Sequence, residues 1–398
     1  MITPAEALAA IAAEMRPFGS ERVDLDRAAG RILRQAVSAE RDQPPFDRVT
    51  MDGIALVFDA FAGGTRRFAI QAREHAGEPA LTLTGPAQCI EVMTGAVLPV
   101  NADCVVPVER ITVRNGAAEI EEGYAAERRQ FVHGRGSDHR EGTELLPAGA
   151  VVTPIDIAII ASCGLTGVEV AKSPGVRVIS TGSELVAPGQ PVAAHQIRLS
   201  NGPAVLAMLK AQGFDDVRHV HVVDDPAALR ERVRRDLEEA NVLILSGGVS
   251  MGKADFVPDV LAELGVKKVF HRISQRPGKP MWFGIGSRDQ AVFGLPGNPV
   301  STLVCCRHYV LPALLAAGGR PPAAPEYAVL AEDVSFKPSL TAFLPVRLQS
   351  DVDGLLKAKP VPTNTSGDFA ALRGTDGYIE LAQSQVHFPA GSPVPLHR

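Results

Sequence analysis

Val242-Leu243-Ile244-Leu245-Ser246-Gly247-Gly248-Val249-Ser250-Met251-Gly252-Lys253-Ala254-Asp255 is the stretch on which the fold turns. Four consecutive apolar residues running into a serine and glycine turn describe a strand buried on both faces, because a strand with one wet face alternates. The same texture recurs on either side. Upstream, an apolar strand from Val176 to Ser180 leads to a helix that starts near Asn201, keeps Val205, Leu206 and Leu209 at helical spacing and ends at Gly213. Val217 to Val223 is the next strand, and Asp225-Pro226 opens a helix carrying Leu229, Val233 and Leu237. Downstream, Ala291 to Phe293 precedes a long apolar helix. Strand and helix therefore alternate between about residues 174 and 317. That alternation predicts a doubly wound, largely parallel α/β sheet, with ligands in the crevice beyond the carboxyl ends of its strands.

The rest of the chain reads differently. Thr3 as N-cap, Pro4 at the first helical position and Glu6 three residues after the cap predict an N-terminal helix with Leu8, Ile11, Ala12 and Met15 on its apolar side. From about Gln43 the sequence breaks into short apolar runs. Ile111 to Val113 and Ala118 to Ile120 flank Asn115-Gly116, a strong hairpin signal, so residues 39–140 read as a mainly β domain. Gly318 to Pro325 has linker composition, and the remaining residues return to short strands and turns, a small C-terminal β domain.

Composition narrows the class. At 398 residues the chain is too long for one core, and two to four domains are expected. No run approaches the roughly 18 consecutive apolar residues that span a bilayer, and the first fifteen residues lack the basic start of a secretory signal, so the reading is cytoplasmic with no membrane partner. A net charge of −5 without a long basic run argues against nucleic acid. The five cysteines are odd in number and show no C-x-x-C spacing, so they read as buried thiols in a reducing compartment rather than a zinc site.

Four constellations carry chemistry. Ser246, Gly247, Gly248 and Ser250 follow the decisive strand, and glycines there let backbone N–H groups face a phosphate. The segment nearly matches a P-loop, with four residues between Gly247 and Gly252-Lys253, but Ala254 stands where magnesium needs a hydroxyl. Gly294-Leu295-Pro296-Gly297-Asn298-Pro299-Val300-Ser301 is a proline-stiffened loop before a helix whose first N–H groups should be free for an anion. Lys267, Lys268, His271, Arg272, Arg276 and Lys279 form a basic cluster in thirteen residues, suited to phosphate or another oxyanion. Glu184, Asp224 and Asp255 are acids at strand ends, and carboxylates beside phosphate loops call for a cation such as magnesium between them. Asp225 reads as a helix cap, and Asp47 and Asp52 as turn residues.

These segments, in this order, resemble the molybdopterin molybdotransferase family. The marks are Pro44 to Gly53 (PPFDRVTMDG), Met93 to Ala96 (MTGA), the glycines and aspartate of Gly136 to Gly142, Ser180 to Leu185 (STGSEL), Ser246 to Asp255, Arg276 to Pro280 (RPGKP) and Gly294 to Ser301. The resemblance implies a central α/β molybdopterin-binding domain (174–320), a mainly β domain (39–140) and a C-terminal β-barrel (321–398). A linking domain would be made from residues 1–38, with the N-terminal helix, and 141–173. It implies transfer of molybdate to adenylylated molybdopterin with Mg2+ and release of AMP, in a homodimer with its active site between subunits. Transient contact with the adenylyltransferase that makes the substrate, or with molybdoenzyme chaperones, is also implied.

Carried over residue by residue, Asp52 and Thr94 reach the partner's cleft and join Glu184 and Asp255 as catalytic residues. The resemblance implies that Glu184, Asp224 and Asp255 hold the metal. Ser246, Gly247, Gly248, Ser250, Arg276, Lys279, Pro296, Gly297, Asn298, Pro299 and Ser366 bind substrate. The chain departs from the family pattern at Arg48-Val49-Thr50, Ile54, Arg198-Leu199, Lys253 and Pro345. A noncatalytic pterin-binding or scaffolding relative, and another nucleotidyl or phosphoryl transferase with the same central fold, therefore stay open as alternatives.

Overall fold

The structure is a computed structural model that describes residues 1–249, 256–337 and 339–398. The chain divides into two compact units, residues 1–35, 149–153 and 167–398 in one and residues 36–148 and 154–166 in the other.

The first unit is built on a six-stranded sheet in the order Val217–Val222, Val176–Thr181, Val242–Ser246, Ala291–Leu295, Trp282–Ile285 and Lys267–His271. The first four run parallel, Trp282–Ile285 runs antiparallel to both of its neighbours, and Lys267–His271 therefore points the same way as the first four. Both faces are covered, as the unbroken apolar strands require. Val176, Val178, Val242 and Ile244 pack with Val205, Leu209, Tyr309 and Leu314 on one face, joined by Ala7 and Ile11 of the N-terminal helix Pro4–Glu14. Ile179, Leu243 and Leu245 pack with Leu229, Val233, Val257 and Val260 on the other. The sequence-predicted caps form: Glu6 N–H donates to Thr3 Oγ1 at 3.2 Å while Glu6 Oε2 accepts from Thr3 N–H, and Ala228 N–H donates to Asp225 Oδ1 at 2.7 Å.

Helical backbone runs through Pro299–Cys305, a π-helical turn at Cys306–Val310, and Leu311–Ala317. This segment is long and apolar enough to cross a membrane by length and composition, although Arg307, His308 and Pro312 break its apolar run. Its apolar length serves the core instead, with Val304, Cys305, Tyr309 and Leu314 all buried.

The same unit ends in a closed five-stranded β-barrel. Glu326–Leu330, Thr341–Ser350, Leu356–Pro360, Gly377–Leu381 and Pro393–His397 pair in a ring, closed by the pairing of Thr341–Ser350 with Gly377–Leu381. The barrel interior is filled by Leu330, Ala342, Val346, Ala358, Ile379 and Leu396.

The second unit centres on a sheet in the order Cys104–Pro107, Gly53–Leu56, Gln88–Val92, Arg67–Glu74, Ala117–Ile120 and Ile111–Arg114. Its hairpin turns at Asn115 and Gly116 with φ of 50° and 71°, the left-handed pair that an Asn-Gly turn supplies at low cost.

Candidate active site

Register gathers the loops of interest at one edge of the first unit's sheet. Thr181 pairs with Val222, Ser180 with Ser246, and Ser246 with Leu295, so four parallel strands end side by side. The loop between Lys267–His271 and Trp282–Ile285 leaves and returns at that same edge, since Trp282 lies opposite both His271 and Gly294.

Two of these loops are locked together. Gly247 and Gly248 have φ of 97° and 64°, and a Cβ at Gly247 would stand 2.6 Å from Thr181 O, so no larger residue fits. Gly247 N–H donates to Leu295 O at 3.2 Å. Asn201, at the start of the helix Asn201–Ala211, donates from Nδ2 to both Ser246 Oγ at 3.0 Å and Gly297 O at 2.8 Å. Its Oδ1 and the nearby Thr181 Oγ1 are buried without a partner among the described residues, a costly state. Ser250 and Asp255 lie outside the described residues.

The loop Pro296 to Pro299 is held from both sides. Thr302 Oγ1 donates to Pro296 O at 2.5 Å and to Asn298 O at 3.1 Å, while Asn298 Nδ2 donates to Ser366 Oγ at 2.8 Å. Val300 N–H donates to Ser366 O at 3.0 Å. This corrects the expectation of free N–H groups at the start of the helix: proline has none, and the next one is already engaged by Ser366.

Among the acids, Asp224 Oδ2 accepts from Ser183 N–H at 2.9 Å, and Asp224 N–H donates back to Ser183 Oγ at 3.1 Å, which ties two adjacent strand ends together. The Glu184 carboxylate folds back over Gly182, where a Cβ would meet its oxygens at 2.8 and 2.9 Å. No cluster of three metal-binding side chains occurs among the described residues.

The basic cluster separates. Lys267 and Lys268 are exposed on an edge strand, where lysines blunt strand-to-strand association, and Lys267 Nζ lies 3.8 Å from Glu14. Arg276 and Lys279 stand exposed on the loop at the carboxyl edge with no ion-pair partner among the described residues.

Asp52 and Thr94 meet within the second unit. Thr94 donates to Asp52 Oδ1 from its N–H at 2.7 Å and from its hydroxyl at 2.8 Å, and these two bonds hold the exposed carboxyl below its ordinary range. An oriented, ionised carboxylate of this kind can accept hydrogen bonds or ligate a cation, and is a poor proton donor. Asp47 is structural: Arg129 grips both of its oxygens, at 2.7 and 2.8 Å.

Comparison with known proteins places this arrangement. Residues 2–164 match the MoeA N-terminal region (domain I and II), 177–316 the family described as "Probable molybdopterin binding domain" and 327–397 the MoeA C-terminal region (domain IV). A molybdopterin molybdenumtransferase of Synechocystis sp. is 40% identical over 398 residues, covering 100% of both chains. The chain belongs to the MoeA family. A second molybdopterin molybdenumtransferase, from Synechococcus elongatus, is 33% identical over 95% of this chain and 94% of its own. The crystal structure of a molybdopterin biosynthesis MoeA protein from Pyrococcus horikoshii superposes with a TM-score of 0.86 at 29% identity, covering 100% of this chain and 98% of that one.

Within this MoeA chain, Asn201 and Thr181 carry little signal of their place at the site in the sequence alone. Asn201 reads only as the start of a helix, and Thr181 only as one position of the segment Ser180 to Leu185. The available signal was a polar residue placed where an apolar strand or helix meets a glycine loop.

Proposed function

We propose that this protein transfers molybdenum from molybdate to molybdopterin, taking adenylylated molybdopterin as substrate and releasing AMP. The observation that carries the reading is the pair of loops at Ser246 to Gly248 and Pro296 to Pro299, locked at adjacent strand ends by Asn201. Family membership supplies the substrate. With Gly247 N–H held by Leu295 O, the N–H of Gly248 would take a phosphate oxygen, and Pro296, Gly297, Asn298, Pro299 and Ser366 would wall the pterin side of the crevice. Arg276 and Lys279 would receive molybdate, whose charge needs cations that no internal carboxylate has already neutralised.

Magnesium fits the donors on this edge. Glu184 has no partner for its carboxylate among the described residues, and Asp224 keeps one oxygen clear of Ser183, an all-oxygen set of the size this cation favours beside phosphate and water. The ion would offset charge on the pyrophosphate as AMP departs. We place Asp255 with these acids by family resemblance. Asp52, fixed by Thr94, would serve the cleft of the partner in a cytoplasmic homodimer.

The test is AMP release from adenylylated molybdopterin by the purified protein with molybdate and magnesium. Release that depends on molybdate and is lost in Asp224→Ala supports the reading. Tight binding without release would leave a noncatalytic pterin-binding relative, and absence of binding would sink the substrate assignment.

A further inference from the structure

The loop that carries Arg276 and Lys279 owes its orientation to a buried polar group beneath it. Gln275, Cys305 and Tyr309 are each fully buried. Tyr309 OH donates to Gln275 Oε1, which fixes which end of the amide is which and leaves Nε2 facing the loop. Nε2 donates to Pro277 O at 2.9 Å, with Cys305 Sγ at 3.7 Å on its other side. Burial pushes both the Cys305 thiol and the Tyr309 phenol up, so both keep their protons, and the thiol donates to Gly278 O at 3.8 Å.

The remaining carbonyls are also drawn inward. Gly278 O accepts from Met281 N–H at 3.3 Å and Lys279 O from Ile273 N–H at 2.9 Å. In a trans peptide the N–H points opposite to the C=O. With the carbonyls of Pro277 and Gly278 turned down onto Gln275 and Cys305, the N–H groups of Gly278 and Lys279 turn away from them, and neither has a partner among the described residues. Gly278 has φ of 95°, and a Cβ there would stand 2.4 Å from Cys305 Sγ and 2.6 Å from Gln275 Nε2, so the loop sits directly on the plug. Two adjacent N–H groups without a partner, beside the Arg276 and Lys279 side chains, are donors of the kind that bind anions.

We propose that Gln275 is a positioning residue for oxyanion binding: locked by Tyr309, it pulls the Pro277 carbonyl inward so that the Gly278 and Lys279 N–H groups join Arg276 and Lys279 in holding molybdate. This rests on the reading of that loop as the molybdate seat. Without Gln275 the Pro277 carbonyl loses its buried donor, the peptide is free to rotate, and a carbonyl dipole turned outward repels the anion.

The experiment is steady-state kinetics of AMP release with molybdate and adenylylated molybdopterin varied separately. The variants are Gln275→Met, Tyr309→Phe and their double mutant, with Arg276→Ala and Lys279→Ala as controls and thermal unfolding of each. Gln275→Met should raise the KM for molybdate about tenfold, as expected when orientation of a charge-binding loop is lost, and leave the KM for the pterin substrate within about twofold. Tyr309→Phe should shift the same constant in the same direction by less, and the double mutant should match Gln275→Met, because Tyr309 acts through Gln275. If Gln275→Met does not fold, the Tyr309→Phe kinetics decide alone. A molybdate KM unchanged in the folded variants, or both KM values moving together with a lowered melting temperature, overturns the positioning role. If the two control variants also leave the molybdate KM unchanged, the loop is not the molybdate seat, and the underlying assignment fails with it.

Discussion

Asp52 is a turn residue whose carboxylate is held in place by Thr94. Its carboxylate accepts twice from Thr94, and these bonds outweigh a smaller desolvation and favour the ionised form. Removing the hydroxyl in Thr94→Val leaves the backbone donor but lets the Asp52 pKa rise toward its ordinary value. If ionised Asp52 is needed for turnover, the acidic limb of the pH–rate profile should move to higher pH in this variant, with the plateau above it nearly intact. Titration of the Asp52 carboxyl by carbon-13 NMR in both proteins checks the sign, and a pKa that stays put removes Thr94 from this role. Asn201 belongs to the same scale. Asn201→Ala leaves Gly297 O and Ser246 Oγ without their shared donor, so stability should fall by about 1–3 kcal/mol in urea unfolding. The two loops should also part, which a raised KM for the pterin substrate would report with the KM for molybdate largely kept.

At the scale of elements, the π-helical turn Cys306–Val310 brings His308 against the barrel. His308 Nδ1 lies 3.0 Å from Tyr378 OH, its ring meets those of Phe343, Tyr309 and His397, and burial with the neighbouring His397 lowers its pKa to about 4. Glu380, paired with His397 at 3.0 Å, opposes this only weakly. The sign follows from proton binding. Between pH 6.5 and 4 the unfolded chain holds a proton at His308 that the folded chain refuses, so stability is full above the ordinary histidine value and falls as pH drops, by roughly 3 kcal/mol from this group. Urea midpoints measured from pH 7 to pH 4 should fall less steeply in His308→Gln than in the parent, and parallel slopes would assign the acid sensitivity elsewhere. These elements also show what a sequence can carry. The parallel strands are legible because burial on both faces forces unbroken apolar runs, and the caps at Thr3 and Asp225 because they act within three residues. Asn201 is silent because its acceptors lie 45 and 96 residues away, and Gln275 because Cys305 and Tyr309 lie 30 and 34 residues on. Local rules describe a residue's own turn or strand, whereas these side chains take their meaning from which strand ends the register sets side by side.

At the scale of the whole molecule, the two units hold different parts of the proposed chemistry. Asp52 and Thr94 belong to the unit of residues 36–148 and 154–166, and Glu184, Asp224, Arg276 and Lys279 to the other. In a homodimer that shares its sites, a cleft would take its acids and cations from one protomer and Asp52 from its partner, which makes the defects of two variants separable. Asp52→Ala and Asp224→Ala should each be inactive as homodimers. After the two are mixed and allowed to exchange subunits, each heterodimer would hold one site with both defects and one with neither. Random exchange then makes about half the dimers mixed, and activity should recover to about a quarter of the parent's. If Asp52 instead serves its own chain's cleft, every site in the mixture keeps one defect and the mixture stays inactive. Light scattering would establish that the protein is a dimer, and mass spectrometry of differently tagged subunits that exchange took place, so that a silent mixture counts against the shared site rather than against assembly.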